Sequence, residues 1–141
     1  MNHSELLYQL WYVAAPGGSL ARGKTRKITL LGQPVLLGRT REGEAFALRD
    51  FCPHRGIPLS YGRFDGCEIE CCYHGWRFAP SGQCTKIPSL TDSDAVDISR
   101  IKAGSFPCRE ENGLIWVYVP TPKTRPPEAL PPLPALPGAA D

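Results

Sequence analysis

A chain of 141 residues in which 15 Pro and 14 Gly occupy about a fifth of the positions is no helix bundle, and it should be rich in loops and strands. With 42% hydrophobic residues, 3 Trp, 5 Tyr and 5 Phe, it has enough apolar surface for one core, which excludes disorder of the whole chain. Sixteen Lys and Arg against fourteen Asp and Glu leave a net charge of +2, and the cations are dispersed apart from Arg22 to Arg26, so no footprint for nucleic acid exists.

Along the chain, Gln9 to Ala15 is aromatic-rich and stops at Pro16-Gly17-Gly18, which predicts a short helical turn or an edge strand. Met1 to Leu10 is interrupted by Glu5, and no apolar run approaches the roughly 18 residues of a membrane span. The expectation is therefore no membrane segment, no export signal and a cytoplasmic location. There, six Cys are metal ligands or free thiols rather than a disulfide framework. Ile28 to Leu31, Val35 to Arg39 and Ala45 to Leu48 read as an antiparallel meander punctuated by Gly32-Gln33-Pro34 and Glu42-Gly43-Glu44. Cys67 to Cys71, Trp76 to Phe78 and Leu114 to Val119 are further predicted strands, with turns at Ser81-Gly82 and Asn112-Gly113. The fold class expected is all-β. From Pro120 onward eight residues are Pro, with Leu130, Leu133 and Leu136 between them. Because Pro fixes φ and has no N–H donor, this stretch favours polyproline II and reads as an extended linker or a docking strap. The predicted organisation is a domain over residues 1–120 and a Pro-rich linker or tail over 121–141.

The chemistry is concentrated in two short loops, Cys52-Pro53-His54-Arg55-Gly56 and Cys71-Cys72-Tyr73-His74-Gly75-Trp76. Together they form C-x-H-x16-C-x2-H. Two thiolates with two imidazoles are the ligand set of a Rieske [2Fe–2S] centre, in which Cys52 and Cys71 hold one iron and His54 and His74 the other. Two Fe³⁺, two sulfides and two thiolates sum to zero charge with neutral imidazoles, whereas four thiolates leave −2. Adding an electron is then easier, which lifts the potential above the roughly −400 mV of all-Cys plant-type clusters. A structural Zn²⁺ site also takes two Cys and two His, but its usual first half is C-x2-4-C, while here each loop mixes the two ligand types. Cys71 rather than its neighbour Cys72 stands at the x2 spacing from His74.

Cys-Pro-His-Arg-Gly at 52–56, Leu59-Ser60-Tyr61-Gly62, and Cys-Cys-Tyr-His-Gly-Trp-Arg-Phe at 71–78 resemble the Rieske domain of ring-hydroxylating and O-demethylating non-haem iron oxygenases. The resemblance extends over about residues 8 to 120, from Trp11-Tyr12-Val13-Ala14 to Gly113-Leu114-Ile115-Trp116-Val117. It implies an antiparallel β-sandwich carrying a small cluster-binding subdomain of two loops. It also implies a reductase or ferredoxin as electron donor, an oxygenase catalytic domain as acceptor, and an oligomer as a possible assembly. Respiratory Rieske proteins bridge their loops with a disulfide, and the corresponding positions here are Ile57 and Tyr73. Those proteins also aim Ser and Tyr hydroxyls at the cluster where this chain has Trp76 and Phe78. The resemblance therefore implies a potential near the low end of the roughly −150 to +300 mV Rieske range.

A complete Rieske oxygenase holds a second, mononuclear iron on two His and a carboxylate. This chain has three His, and with His54 and His74 committed only His3 remains, so these residues build no such site. A stand-alone Rieske ferredoxin carrier is the alternative reading, and a structural zinc module a remoter one. Of the other residues, Cys67, Cys72, Cys84 and Cys108 are expected to be free thiols. Leu59 is expected to cap the cluster, Trp76 and Tyr73 to shield it, and Arg55 to tune its charge or dock a partner. Trp11, Tyr12 and Trp116 are expected in the core.

Overall fold

The computed structural model describes residues 8–53, 56–72, 75–88, 97–120 and 131–134. These form eleven strands in three antiparallel sheets, with three short 3-10 turns and no longer helix among the described residues. The strands are β1 Leu10–Pro16, β2 Thr25–Leu30, β3 Gln33–Arg39, β4 Ala45–Arg49, β5 Arg63–Phe64, β6 Ile69–Glu70, β7 Arg77–Phe78, β8 Cys84–Lys86, β9 Ser105–Phe106, β10 Cys108–Glu111 and β11 Leu114–Val119. The sheets run β1-β11-β10, β2-β3-β4-β9 and β5-β6-β7-β8.

Side-chain alternation explains how the sheets stack. In β3 and β4, Val35, Leu37 and Ala47 face one way, meeting Ile115, Val117 and Val119 of β11 in one core. The intervening Leu36, Phe46 and Leu48 face the other way, into a second core with Ile69 and Phe78 of the small sheet. The middle sheet is thus covered on both faces, which is why β3 reads as a nearly continuous apolar run rather than an alternating one. The small sheet supports the two cysteine loops, so the predicted subdomain of two loops has a four-stranded base of its own.

Several predicted boundaries move. The segment at Gln9 to Ala15 is an edge strand, paired only with β11. The β2–β3 turn sits on Leu31-Gly32 (φ 49° and 76°) and not on Gly32-Gln33-Pro34. The two positive φ values make the two-residue turn whose twist matches a hairpin, and Pro34 lies inside β3. The predicted strand at Cys67 to Cys71 contracts to Ile69–Glu70, because the Asp65 carboxylate accepts the N–H groups of Cys67 and Glu68 at 2.8 Å each and folds that stretch into a turn. Similarly, the strand at Trp76 to Phe78 begins at Arg77. The Asn112-Gly113 hairpin turn is as predicted, with φ 56° and 75°. In the Pro-rich region only 131–134 lie within the described residues, and they contain no strand.

An ion pair locks the sandwich. Arg39, at the end of β3, grips Glu110 of β10 through two hydrogen bonds of 2.7 Å, and its remaining N–H groups donate to the carbonyls of Leu20, Gly43 and Gly17 at 2.7, 2.7 and 2.9 Å. All five guanidinium donors are satisfied, which is the condition for burying the charge without loss.

Half-buried Cys108 packs against the core next to this pair. Burial first, and the Glu110 charge second, push its thiol up to about 12. An unfolded thiol ionises near 8.5, so stability is full below that pH and drains away as pH rises from about 8.5 toward 12. Cys108→Ala is expected to flatten the loss of thermal stability across that alkaline window, measured as Tm against pH beside the parent chain.

Candidate metal centre

The sequence puts one cysteine at the foot of each loop, and the structure brings both into one place. Cys52 follows β4 and Cys71 follows β6, and each is 1% exposed in the same apolar cluster. The two loops have the same local build. The Cys52 N–H donates to the Ile57 carbonyl and the Cys71 N–H to the Trp76 carbonyl, both at 2.7 Å. Four residues after each cysteine stands a glycine in the left-handed region, Gly56 at φ 69° and Gly75 at φ 71°. A side chain there would strain the turn that brings the chain back toward its cysteine. These N–H groups close the loops on themselves.

His54, Arg55, Tyr73 and His74 lie outside the described residues. Among the described residues no three metal-ligating side chains converge, and of the four candidate ligands only Cys52 and Cys71 are described. These two suit a two-cysteine, two-histidine centre: both lie buried in one apolar cluster, on loops of matching geometry. The structure also separates the adjacent cysteines. Cys71 is buried and Cys72 is exposed. A third buried cysteine, Cys84 of β8, shares the cluster. Its thiol contacts the Lys86 carbonyl at 3.8 Å, and burial raises its pKa.

Around the cysteines, Leu59 is 1% exposed in the same cluster and Trp76 packs half-buried against it. Trp11 and Trp116 are buried together in a separate aromatic cluster, and Tyr12 is half-buried against the sandwich core.

Sequence reasoning missed the supports. Asp50, two residues before Cys52, is completely buried, and its carboxylate accepts the Ser60 N–H and hydroxyl at 2.7 Å each. It thereby pins the Leu59–Tyr61 turn beneath the first loop. A side chain at Gly62 would overlap the Glu70 carbonyl oxygen and lie 3.2 Å from the Cys71 Cα, so only glycine lets this turn approach the strand that delivers Cys71. On the outer side, Arg77 of β7 binds Glu68 at 2.9 Å, Glu70 at 3.3 Å and Asp65. The N–H groups of Glu68 and Cys67, and secondarily Arg77, hold the Asp65 carboxyl at about 2. No local pattern announces Asp50 with Ser60; the signal is a carboxylate ending an apolar strand just ahead of a candidate ligand.

Between the loops lies a shallow cleft of about 290 Å³ lined by Pro53, Trp76, Arg100, Ile101 and Lys102. Among the described residues no helix is long and apolar enough to cross a membrane.

Comparison with known proteins agrees with this architecture. The Rieske [2Fe-2S] domain family matches residues 10–107. The 4beta-methylsterol monooxygenase of Methylococcus capsulatus (strain ATCC 33009 / NCIMB 11132 / Bath) is 35% identical over 128 residues, covering 91% of this chain and 35% of that protein. A crystal structure of dicamba monooxygenase superposes with a TM-score of 0.72 at 36% identity, over 91% of this chain and 40% of that one. The oxygenase in a complex of carbazole 1,9a-dioxygenase with ferredoxin gives a TM-score of 0.74 at 26% identity, over 86% of this chain and 31% of that one. The chain thus spans about a third of the length of such relatives. With its all-antiparallel sandwich and twin cysteine loops, it belongs to the Rieske [2Fe-2S] domain family, in the form carried by Rieske oxygenases, and transfers electrons through a Rieske-type [2Fe-2S] cluster.

Proposed function

We propose that Cys52 and Cys71 hold one iron of the cluster and His54 and His74 the other. We propose further that electrons arrive from a reductase or ferredoxin and leave for a mononuclear non-haem iron site outside these 141 residues. The observation that supports the ligand assignment is the pair of matched loops, each placing one buried cysteine in the same cluster. When bound, the cluster accepts and releases one electron at a potential raised by its two imidazole ligands.

The chain's own residues set the conditions for that exchange. Cys52 and Cys71 lie inside, so their donor atoms are kept from water, while Leu59 and Trp76 add apolar cover. Cys52 and Cys71 are buried, and His54 and His74 follow them by two and three residues in the sequence, so we take the histidine-ligated iron as the port for electrons. Support for a donor docking there comes from the cleft between the loops, where Pro53, Trp76 and Ile101 give an apolar floor and Arg100 and Lys102 two cations suited to an acidic protein surface. The same reading takes residues 1–120 as the electron-transfer domain, 121–141 as its Pro-rich linker, and the cytoplasm as its compartment.

The experiment is a redox titration of the purified chain, followed by visible absorption after assay of iron and acid-labile sulfide. Equal iron and sulfide with a midpoint low in the roughly −150 to +300 mV range is the expected result. A colourless protein with stoichiometric zinc would replace the proposal with a structural site, and a strongly positive midpoint would contradict the part assigned to Trp76 and Phe78.

A further inference from the structure

The outer face of the β1-β11-β10 sheet carries an arrangement that electron transfer does not use. The alternation that sends Ile115, Val117 and Val119 into the core sends Trp116 and Tyr118 to the opposite side, where they meet Trp11 from β1. Trp11 stands edge-on to Tyr118, with ring centroids 5.6 Å apart and planes at 68°, and the Arg109 guanidinium carbon lies 5.3 Å from the centre of the Trp11 ring. Two indoles share this face, and their N–H groups are used differently. Trp116 donates inside the sheet, to the Glu111 carbonyl at 3.4 Å. Trp11 donates 2.8 Å to the carbonyl of Pro131, 120 residues away in the sequence, and Leu133 packs against the same aromatic cluster.

We propose that Trp11, Trp116 and Tyr118 form a polyproline-binding cradle whose occupant is the chain's own segment Pro131–Pro134. An aromatic-lined groove with an indole N–H directed at a proline-segment carbonyl is the chemistry by which polyproline II helices are recognised, because the segment arrives already extended and its carbonyls have no intrachain donors. The occupant's sequence fits that surface. Polyproline II repeats every three residues with a rise of about 3.1 Å, the sequence spacing of Leu130, Leu133 and Leu136 matches that repeat, and Leu133 is the described member, packed at the cradle.

Tethering makes a weak site sufficient. Residues 120–130 join β11 to the segment, and a linker of that length holds its end at an effective concentration of about 1 mM. An affinity of only about 100 μM then keeps the cradle about nine-tenths filled. Without the strap, the Trp11 N–H in a largely buried ring (7% exposed) would lose its acceptor, and three aromatic rings would face water. The cradle therefore fixes the path of the Pro-rich segment across the sandwich face, on a surface separate from the cysteine loops.

The test uses the full chain in three forms: unaltered, Leu133→Ser, and Trp11→Phe, which keeps a ring and removes the N–H. The readouts are the exchange rate of the Trp11 indole proton where it is present, cleavage of the tail by thermolysin, and visible absorption to report an intact cluster domain. Leu133→Ser is expected to speed both indole exchange and tail cleavage by about tenfold, with absorption unchanged. Trp11→Phe is expected to speed cleavage alike. Equal exchange and cleavage in the unaltered chain and Leu133→Ser would overturn the proposal. So would protection that disappears when the unaltered chain is diluted about a hundredfold, because the occupant would then be the strap of a second copy.

Discussion

Cys52→Ala is expected to leave a protein with background iron and sulfide, no visible Rieske absorption and a lowered melting temperature. Substitutions of residues that merely support a metal ligand cost about 10- to 100-fold in affinity, and removing a thiolate donor should exceed that range. Because the cluster binds the folded chain in preference to the unfolded one, the lost binding energy is also lost stability. The effect should be the same for Cys71→Ala, whose loop repeats the backbone hydrogen bond and the left-handed glycine of the first. Cys72→Ala is the sharp control. One residue away but exposed, it should retain full iron, sulfide and absorption. Iron analysis of the three variants side by side checks the assignment, and cluster loss in Cys72→Ala with retention in Cys71→Ala would reverse it.

Arg39→Met should be the most damaging substitution away from the loops. It leaves the Glu110 carboxylate partly buried without its cation and strips donors from the carbonyls of Gly17, Leu20 and Gly43. Breaking one side of a buried pair costs about 3 kcal/mol at the lower end of measured cases. For a domain of this size that is a fall in Tm of about 10 °C. Replacing both partners with apolar residues, Arg39→Met with Glu110→Leu, should recover much of the loss, since neither charge is then stranded. The pH dependence has a definite sign. The Arg39 hydrogen bond holds the Glu110 carboxyl below its ordinary value, so the pair's contribution is present above the usual carboxylate range and lost as pH falls through the lowered one. Parent and variant should therefore converge in acid. Denaturant unfolding at pH 7 and at pH 3 measures both effects, and an equal gap at the two pH values would refute the assignment.

Legibility in the sequence followed the range of the interactions. The two loops could be read because donor type and spacing sit within five residues of one another. Strand β11 could be read because Ile115, Val117 and Val119 alternate with Trp116 and Tyr118. Of the short strands under the loops, Ile69–Glu70 and Arg77–Phe78 lie inside predicted stretches, whereas Arg63–Phe64 and Cys84–Lys86 were not legible, since two or three residues are too few to show a period and are held by partners elsewhere in the chain. Cys67 looked like strand because the competing Asp65 turn is set by one carboxylate capping two N–H groups. The contacts that join distant segments, Arg39 with Glu110 at 71 residues and Trp11 with Pro131 at 120, leave no trace in any local window. Asp50 with Ser60 is closer, yet its role depends on burial, which composition does not reveal.

The central claim, an iron pair ligated by sulfur on one side and nitrogen on the other, is tested most directly by the dithionite-reduced chain in electron paramagnetic resonance with resolution of nitrogen couplings. A [2Fe–2S] signal coupled to two nitrogen nuclei, one of which disappears in His54→Ala or His74→Ala, is the expected result. A cluster signal with no nitrogen coupling, or a spectrum unchanged in both histidine variants, would contradict it.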